Sequence, residues 1–150
     1  MLGSVFEATR QIVVMNADVN TANRLIATIP SAHLLNANLA GDIAAPVVLG
    51  VSYVARGANW ARDVVLTLTE KDPSGSIVKS TTVTLPQRNV GLGGMVQLSS
   101  EFQAAPGNFI EVTVTTTANA SGATGDIAIN YILSVELLPR VRQVIGTGTV

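Results

Sequence analysis

Residues able to do acid–base or nucleophilic work are few in this sequence. The single histidine, His33, lies in Ser31-Ala32-His33-Leu34-Leu35. Ser31 is close to it in the chain, but a nucleophile and its base are defined by geometry, and nearness in sequence does not make a pair. A lone histidine in an apolar run is ordinarily a packed or surface residue, so His33 is given no catalytic role. The acids Asp18, Asp42, Asp63, Glu70, Asp72, Glu101, Glu111, Asp126 and Glu136 are scattered, mostly at the ends of expected strands or in turns. Two strands could bring distant carboxylates together as a glycosidase pair, yet nothing selects one pair over the others. Their expected work is solubility and turn formation.

Metal and cofactor chemistry fares no better. Asp42 beside Gly41 and Asp126 after Gly125 could offer oxygen ligands to calcium, but there is no Asp-x-Asp-x-Asp-Gly loop. Cysteine is absent, which excludes disulfides, thiolate nucleophiles and cysteine-bound zinc. Gly91-Leu92-Gly93-Gly94 has neither the spacing nor the strand-to-helix setting of a phosphate loop, so it is expected to permit a bend or bulge. No catalytic residue, cofactor or metal is expected, and the chain reads as a non-enzyme.

Contact chemistry is better supplied. The cations are mostly arginine: Arg10, Arg24, Arg56, Arg62, Arg88, Arg140 and Arg142, against Lys71 and Lys79. The rigid guanidinium fork suits carboxylate pairing at partner surfaces. Arg140 and Arg142 share one face of an expected final strand, where they either line an interface or discourage edge aggregation. Aromatic residues are only 4% of the chain, so the stacking platform of a sugar-binding sandwich is missing. Trp60, in Gly57-Ala58-Asn59-Trp60-Ala61-Arg62, is the one candidate, as a ligand or interface contact or as a core anchor, and the anchor is favoured. Arg140, Arg142 and Trp60 are the candidate interface residues.

The elements that must position these groups are strands. Alternation of apolar and polar residues with period two dominates from the middle of the chain to its end. In Val47 to Ala55 the odd positions Val47, Leu49, Val51, Tyr53 and Ala55 are expected on one face, with Gly50 and Ser52 opposite. Asp63 to Thr69 places Val64, Leu66 and Leu68 on one side and Thr67 and Thr69 on the other. Asp72-Pro73-Ser74-Gly75 has the order of a type I turn, so Ile77 to Leu85 should return as a hairpin partner. Met95 to Leu98, Phe109 to Thr117 and Ile127 to Leu137 continue the pattern, the last two separated by the small-residue loop Asn119 to Gly125. Pro139 ends that strand, and Val141 to Ile145 is expected to be a final edge strand. Gln11 to Met15 and Arg24 to Ile29 are read as strands, although Val19, Ala22, Ile26 and Ile29 also fit a helical stripe.

Eight or so strands with turn clusters and little helix predict an all-β antiparallel sandwich or barrel, jelly-roll-like in topology. The 150 residues suffice for a single domain, and residues 1–10 and 146–150 are candidate extended arms or frayed ends. Hydrophobic residues are 47% and charged residues 13%, the reverse of a disordered composition. So low a charge leaves a surface better suited to a subunit than to a solitary monomer, and a homo-oligomer is expected. A net charge of −1 offers no footprint for phosphate backbones, so no direct nucleic-acid contact is expected. Ile43 to Ala55 is shorter than the roughly 20 residues of a membrane helix and contains Pro46 and Gly50, so no membrane insertion is expected. The start, Met1 to Glu7, lacks the basic and apolar regions of a signal peptide, and the mature chain is expected to begin near Met1.

In overall character the chain resembles capsid decoration, or cement, proteins of tailed bacteriophages. The resemblance runs through the Thr-rich strands Val64 to Thr69, Val78 to Thr84 and Val112 to Thr117, and rests on no diagnostic motif. It implies a sandwich or barrel that oligomerises, often as a trimer, on the outer capsid surface and clamps major capsid protein subunits together. Two other readings stand beside it: a single-jelly-roll shell subunit, and a carbohydrate- or receptor-binding module.

Overall fold

The computed structural model describes residues 4–30, 32–33 and 43–136. Among them every regular element is a strand: β1 (Ser4–Asp18), β2 (Arg24–Ile29), β3 (Ala32–His33), β4 (Ile43–Arg56), β5 (Val64–Lys71), β6 (Ile77–Leu85), β7 (Gly93–Gln103), β8 (Phe109–Thr116) and β9 (Thr124–Glu136). The pairing is nested like a long hairpin: β1 with β9, β2 with β8, β4 with β7, and β5 with β6 at the centre. Rolling that ribbon inserts β9 between β1 and β4 and β8 between β2 and β5. The result is two antiparallel sheets, β1-β9-β4-β7 and β2-β8-β5-β6, with β3 holding the start of the β4 edge that β7 then takes. This is the jelly-roll winding, as the alternation predicted.

The innermost turn forms as its residue types require. The Gly75 N–H donates to the Asp72 carbonyl at 2.8 Å, and the Asp72 carboxylate accepts from the Ser74 and Ser76 N–H groups. Opposite this turn, alternate residues of both sheets close the core. Val64, Leu66 and Leu68 of β5 meet Ile110, Val112 and Val114 of β8 and Ile127 and Ile129 of β9, all fully buried. Each such side chain contributes roughly 1.5–3 kcal/mol relative to exposure.

Strand β4 departs from the expected parity. Val48 and Gly50 are consecutive in register against Tyr131 and Asn130 of β9, so Leu49 is an extra residue, a bulge. Before it Val48 faces the core, and after it Val51, Tyr53 and Ala55 do. The uniform odd-numbered face expected over Val47 to Ala55 is therefore corrected: one inserted residue moves every side chain beyond it to the other side. On the other flank Val48 pairs Phe102 and Gly50 pairs Gln97, so residues 98–101 of β7 are looped out of the ladder there. Gly50 permits this approach, because a Cβ on it would stand 2.6 Å from the Val96 carbonyl oxygen.

The ends differ in extent from the periodicity. β1 begins at Ser4, with backbone pairing to β9 well before Gln11, so residues 4–10 continue that strand. β7 is longer than Met95 to Leu98, and β9 starts at Thr124, inside the expected loop. The expected strand Val141 to Ile145 and the tail 146–150 lie outside the described residues.

Candidate functional site

Several of the described carboxylates singled out for chemistry bond to the scaffold. Asp126 accepts from the Asn16 N–H at 2.9 Å and from Arg56 Nε at 2.9 Å. The Asn16 hydrogen bond, then Arg56, holds its carboxyl below the usual carboxylate range. Those bonds fix Asn16, which sits at φ 51° where β1 bulges, so the carboxylate holds a backbone kink. Asp18 is held low by the Thr21 hydroxyl and the Asn20 N–H, and Asp72 by the Ser74 hydroxyl and the Ser76 N–H. Both carboxylates tie turns. Asp63 accepts the Gln87 N–H at 2.8 Å. Among the described residues no three His, Asp or Glu side chains converge on a common point. Asp42 lies outside those residues, and the His33 backbone pairs with Ile43 in the short strand β3.

Trp60 is 1% exposed. Its ring stacks on Tyr53 at 5.3 Å between centroids, and its Nε1 donates to the Thr124 carbonyl at 3.0 Å. Gly125 sits against the indole, where a Cβ would come within 3.1 Å of Cζ2. Tyr53 OH donates to the Pro86 carbonyl, and burial pushes its phenol up. Enclosed this way, the indole packs inside the core, the geometry of an anchor. Arg140 and Arg142 lie outside the described residues.

Glu70 is a buried carboxylate that the reading of scattered acids did not set apart. It is 1% exposed, yet it is a charged residue on the face of β5 that carries Val64, Leu66 and Leu68. Its Oε2 accepts from the Ala105 N–H and from Asn108 Nδ2, both at 2.7 Å, while Lys79 Nζ stands 3.9 Å from Oε1. The carboxylate latches the β7–β8 turn onto sheet β2-β8-β5-β6. The signal was in the sequence: its even number continues the buried register of β5.

Arg62 and Arg88 also bond to the scaffold. Arg62 donates to the Thr117 carbonyl, and Arg88 to the Gly93 and Gln87 carbonyls. The Gly91 segment closes a turn, with the Leu92 N–H on the Asn89 carbonyl at 3.0 Å and Gly91 at φ 89°. It serves as a bend, as its spacing implied. Among the described residues no buried side-chain nitrogen or oxygen lacks a partner.

The outer faces of the two sheets carry few charges. The outer face of sheet β2-β8-β5-β6 carries a row of hydroxyls, Thr113, Thr67 and Thr82 in register across three strands, and a next row of Glu111, Thr69 and Ser80, where Glu111 pairs with Lys71 Nζ at 2.6 Å. The outer face of sheet β1-β9-β4-β7 carries exposed Val13 and Met95 and the amides of Gln11, Asn130 and Gln97. Bare backbone at Gly50 leaves a shallow groove of about 510 Å³ among those amides. Gln11 Nε2 donates to Asn130 Oδ1 at 2.6 Å, and Asn130 Nδ2 to Ser52 Oγ at 3.1 Å, so most of its polar atoms already satisfy one another.

No protein-family model matches the sequence, and comparison with curated proteins finds no match. Among solved structures the chain is similar to one in the structure of infectious bursal disease virus, Gx strain, at 12% identity and a TM-score of 0.48. That alignment covers 90% of this chain and 37% of the other, so this chain spans little more than a third of its length. A chain in the cryo-electron-microscopy structure of Mud Crab Dicistrovirus is 12% identical with a TM-score of 0.39, over 89% of this chain and 69% of that one. An arabinose-bound α-L-arabinofuranosidase is 12% identical with a TM-score of 0.40, over 90% of this chain and 24% of that one.

Proposed function

We propose that this chain is a virion structural protein that acts through protein–protein contacts, as a decoration or cement protein on the outer surface of an icosahedral head. One observation carries the reading: the described carboxylates with depressed pKa, and buried Glu70, each hold a turn, kink or strand junction, while both outer sheet faces present hydroxyls, amides and single apolar side chains. Such a surface gains free energy from being covered, and among the described residues the carboxylates with lowered pKa are already bonded to the scaffold. Each copy that covers on the order of 1,000 Å² with the major capsid protein or with another copy shifts the assembled state by mass action.

The complete four-plus-four winding favours a second reading, a shell subunit built from a single jelly roll, because that winding recurs in viral shell domains. Electron microscopy with size-exclusion chromatography on the purified full chain separates the two. Closed shells identify the subunit. Discrete small oligomers that add to preformed heads identify decoration. A strictly monomeric chain that adds to no particle contradicts both.

A further inference from the structure

Among the described residues the two sheets end at β1, at β7 with the two-residue β3 beside it, at β2 and at β6, and the β1, β7 and β2 edges carry devices that obstruct pairing with another chain. β1 has Arg10 within its run and bulges near Asn16. β7 is interrupted by the excursion of residues 98–101, which includes Glu101. β2 is 6 residues long, opens on Arg24 and bulges between Leu25 and Ala27. Charges, bulges and shortness are the ordinary ways to blunt an edge.

β6 has none of these over most of its length. Its one register shift sits at Val78, between the pairs Lys71–Ile77 and Glu70–Lys79, and from Lys79 to Leu85 the ladder with β5 is unbroken. The sequence there, Lys79-Ser80-Thr81-Thr82-Val83-Thr84-Leu85, has no proline and a single charge at its very end. That charge is already engaged, with Lys79 Nζ 3.9 Å from Glu70 and 5.3 Å from the centroid of the Phe102 ring. Ser80, Thr82 and Thr84 are exposed, and no described residue outside β5 makes a backbone hydrogen bond to this run. Just beyond it Ile77 and Val78 are 68% and 53% exposed.

We propose that this edge pairs with the same edge of a second copy, antiparallel, about a two-fold axis at Thr82. The occupant follows from the charge pattern. Centred on Thr82, the seven residues Lys79–Leu85 place Ser80 opposite the partner's Thr84, Thr82 opposite the partner's Thr82, Thr81 opposite the partner's Val83, and Lys79 opposite the partner's Leu85. The outward-facing pairs are then all hydroxyl on hydroxyl, a favourable cross-strand combination. The two lysines fall six residues apart along the strands, about 20 Å at 3.4 Å per residue, beyond the screening length of roughly 8–10 Å. Pairing also joins the two hydroxyl faces into one continuous sheet of eight strands, four from each copy. Seven residue pairs bury less than the roughly 1,000 Å² of a stable free dimer, so the contact is weak alone and effective where other contacts hold copies side by side. In that respect it rests on the virion reading.

The absence of cysteine makes the register testable in the full chain. Directly opposed antiparallel residues lie within disulfide reach, with Cα atoms about 4.5–5.5 Å apart. Thr82→Cys is expected to form a disulfide-linked dimer under mild oxidation. Ser80→Cys alone and Thr28→Cys, on the opposite edge of the same sheet, should not, whereas Ser80→Cys mixed with Thr84→Cys should cross-link. Thr82→Lys, which sets like charges face to face, is expected to weaken self-association at least about tenfold with an unchanged circular-dichroism spectrum and melting curve. No cross-link through position 82, equal association of the Thr82→Lys protein, or a strict monomer up to about 1 mM overturns the pairing. A chain that is found on virions yet fails these tests loses the pairing and keeps the virion role; one that passes them and is absent from particles does the reverse.

Discussion

Individual side chains in this protein make architecture. Trp60 fills the space between Tyr53, Gly125 and the Thr124 carbonyl, so Trp60→Ala is expected to cost about 3–5 kcal/mol of stability, read as a lower denaturant midpoint. A drop below about 1 kcal/mol would mean that the indole is not the anchor its burial implies. Glu70→Ala strands the Ala105 N–H and the Asn108 amide without their acceptor. The expected loss is about 1–3 kcal/mol, with faster amide exchange in the β7–β8 turn than elsewhere. Asp18, Asp72 and Asp126 all have depressed folded pKa values, so each contributes stability that is fully present above the ordinary unfolded value of about 3.9. That contribution is lost as pH falls from there through the folded values. Denaturation midpoints measured down a pH series should hold steady and then fall on the acid side, and Asp126→Asn should show a shallower fall. An Asp126→Asn profile parallel to the parent would remove Asp126 from that account.

Elements were legible in proportion to how regular they are. The Asp72–Gly75 turn and the β5–β6 hairpin could be read directly, because turn chemistry and period-two alternation agree there with the final pairing. Glu70 was legible in principle from its parity on β5, but a carboxylate on an apolar face is known to be latched only when Ala105 and Asn108 arrive from 35 and 38 residues away. The β4 bulge was hidden for a related reason. Leu49 and Gly50 look regular along their own strand, and the extra residue exists only relative to β9 and β7. Gly50→Ala tests it: the added Cβ, 2.6 Å from the Val96 carbonyl, should cost about 1–3 kcal/mol and loosen the β4–β7 ladder in amide exchange. Full stability in that variant would show that the two strands do not approach as described.

At the scale of the whole molecule, nested pairing brings chain-distant strands together and leaves broad, sparsely charged faces outside a well-filled core. The low charge read from the sequence appears in the fold as rows of Thr and Ser on one sheet and as Gln and Asn amides on the other. Low charge was readable from composition; which edge it leaves unguarded needed the strand order. The virion role is tested most directly by raising antibody to the purified full chain and applying it, with gold, to intact particles from the organism that encodes it. Labelling over the outside of intact heads is the predicted result. Particles that remain unlabelled both intact and after disruption would contradict it.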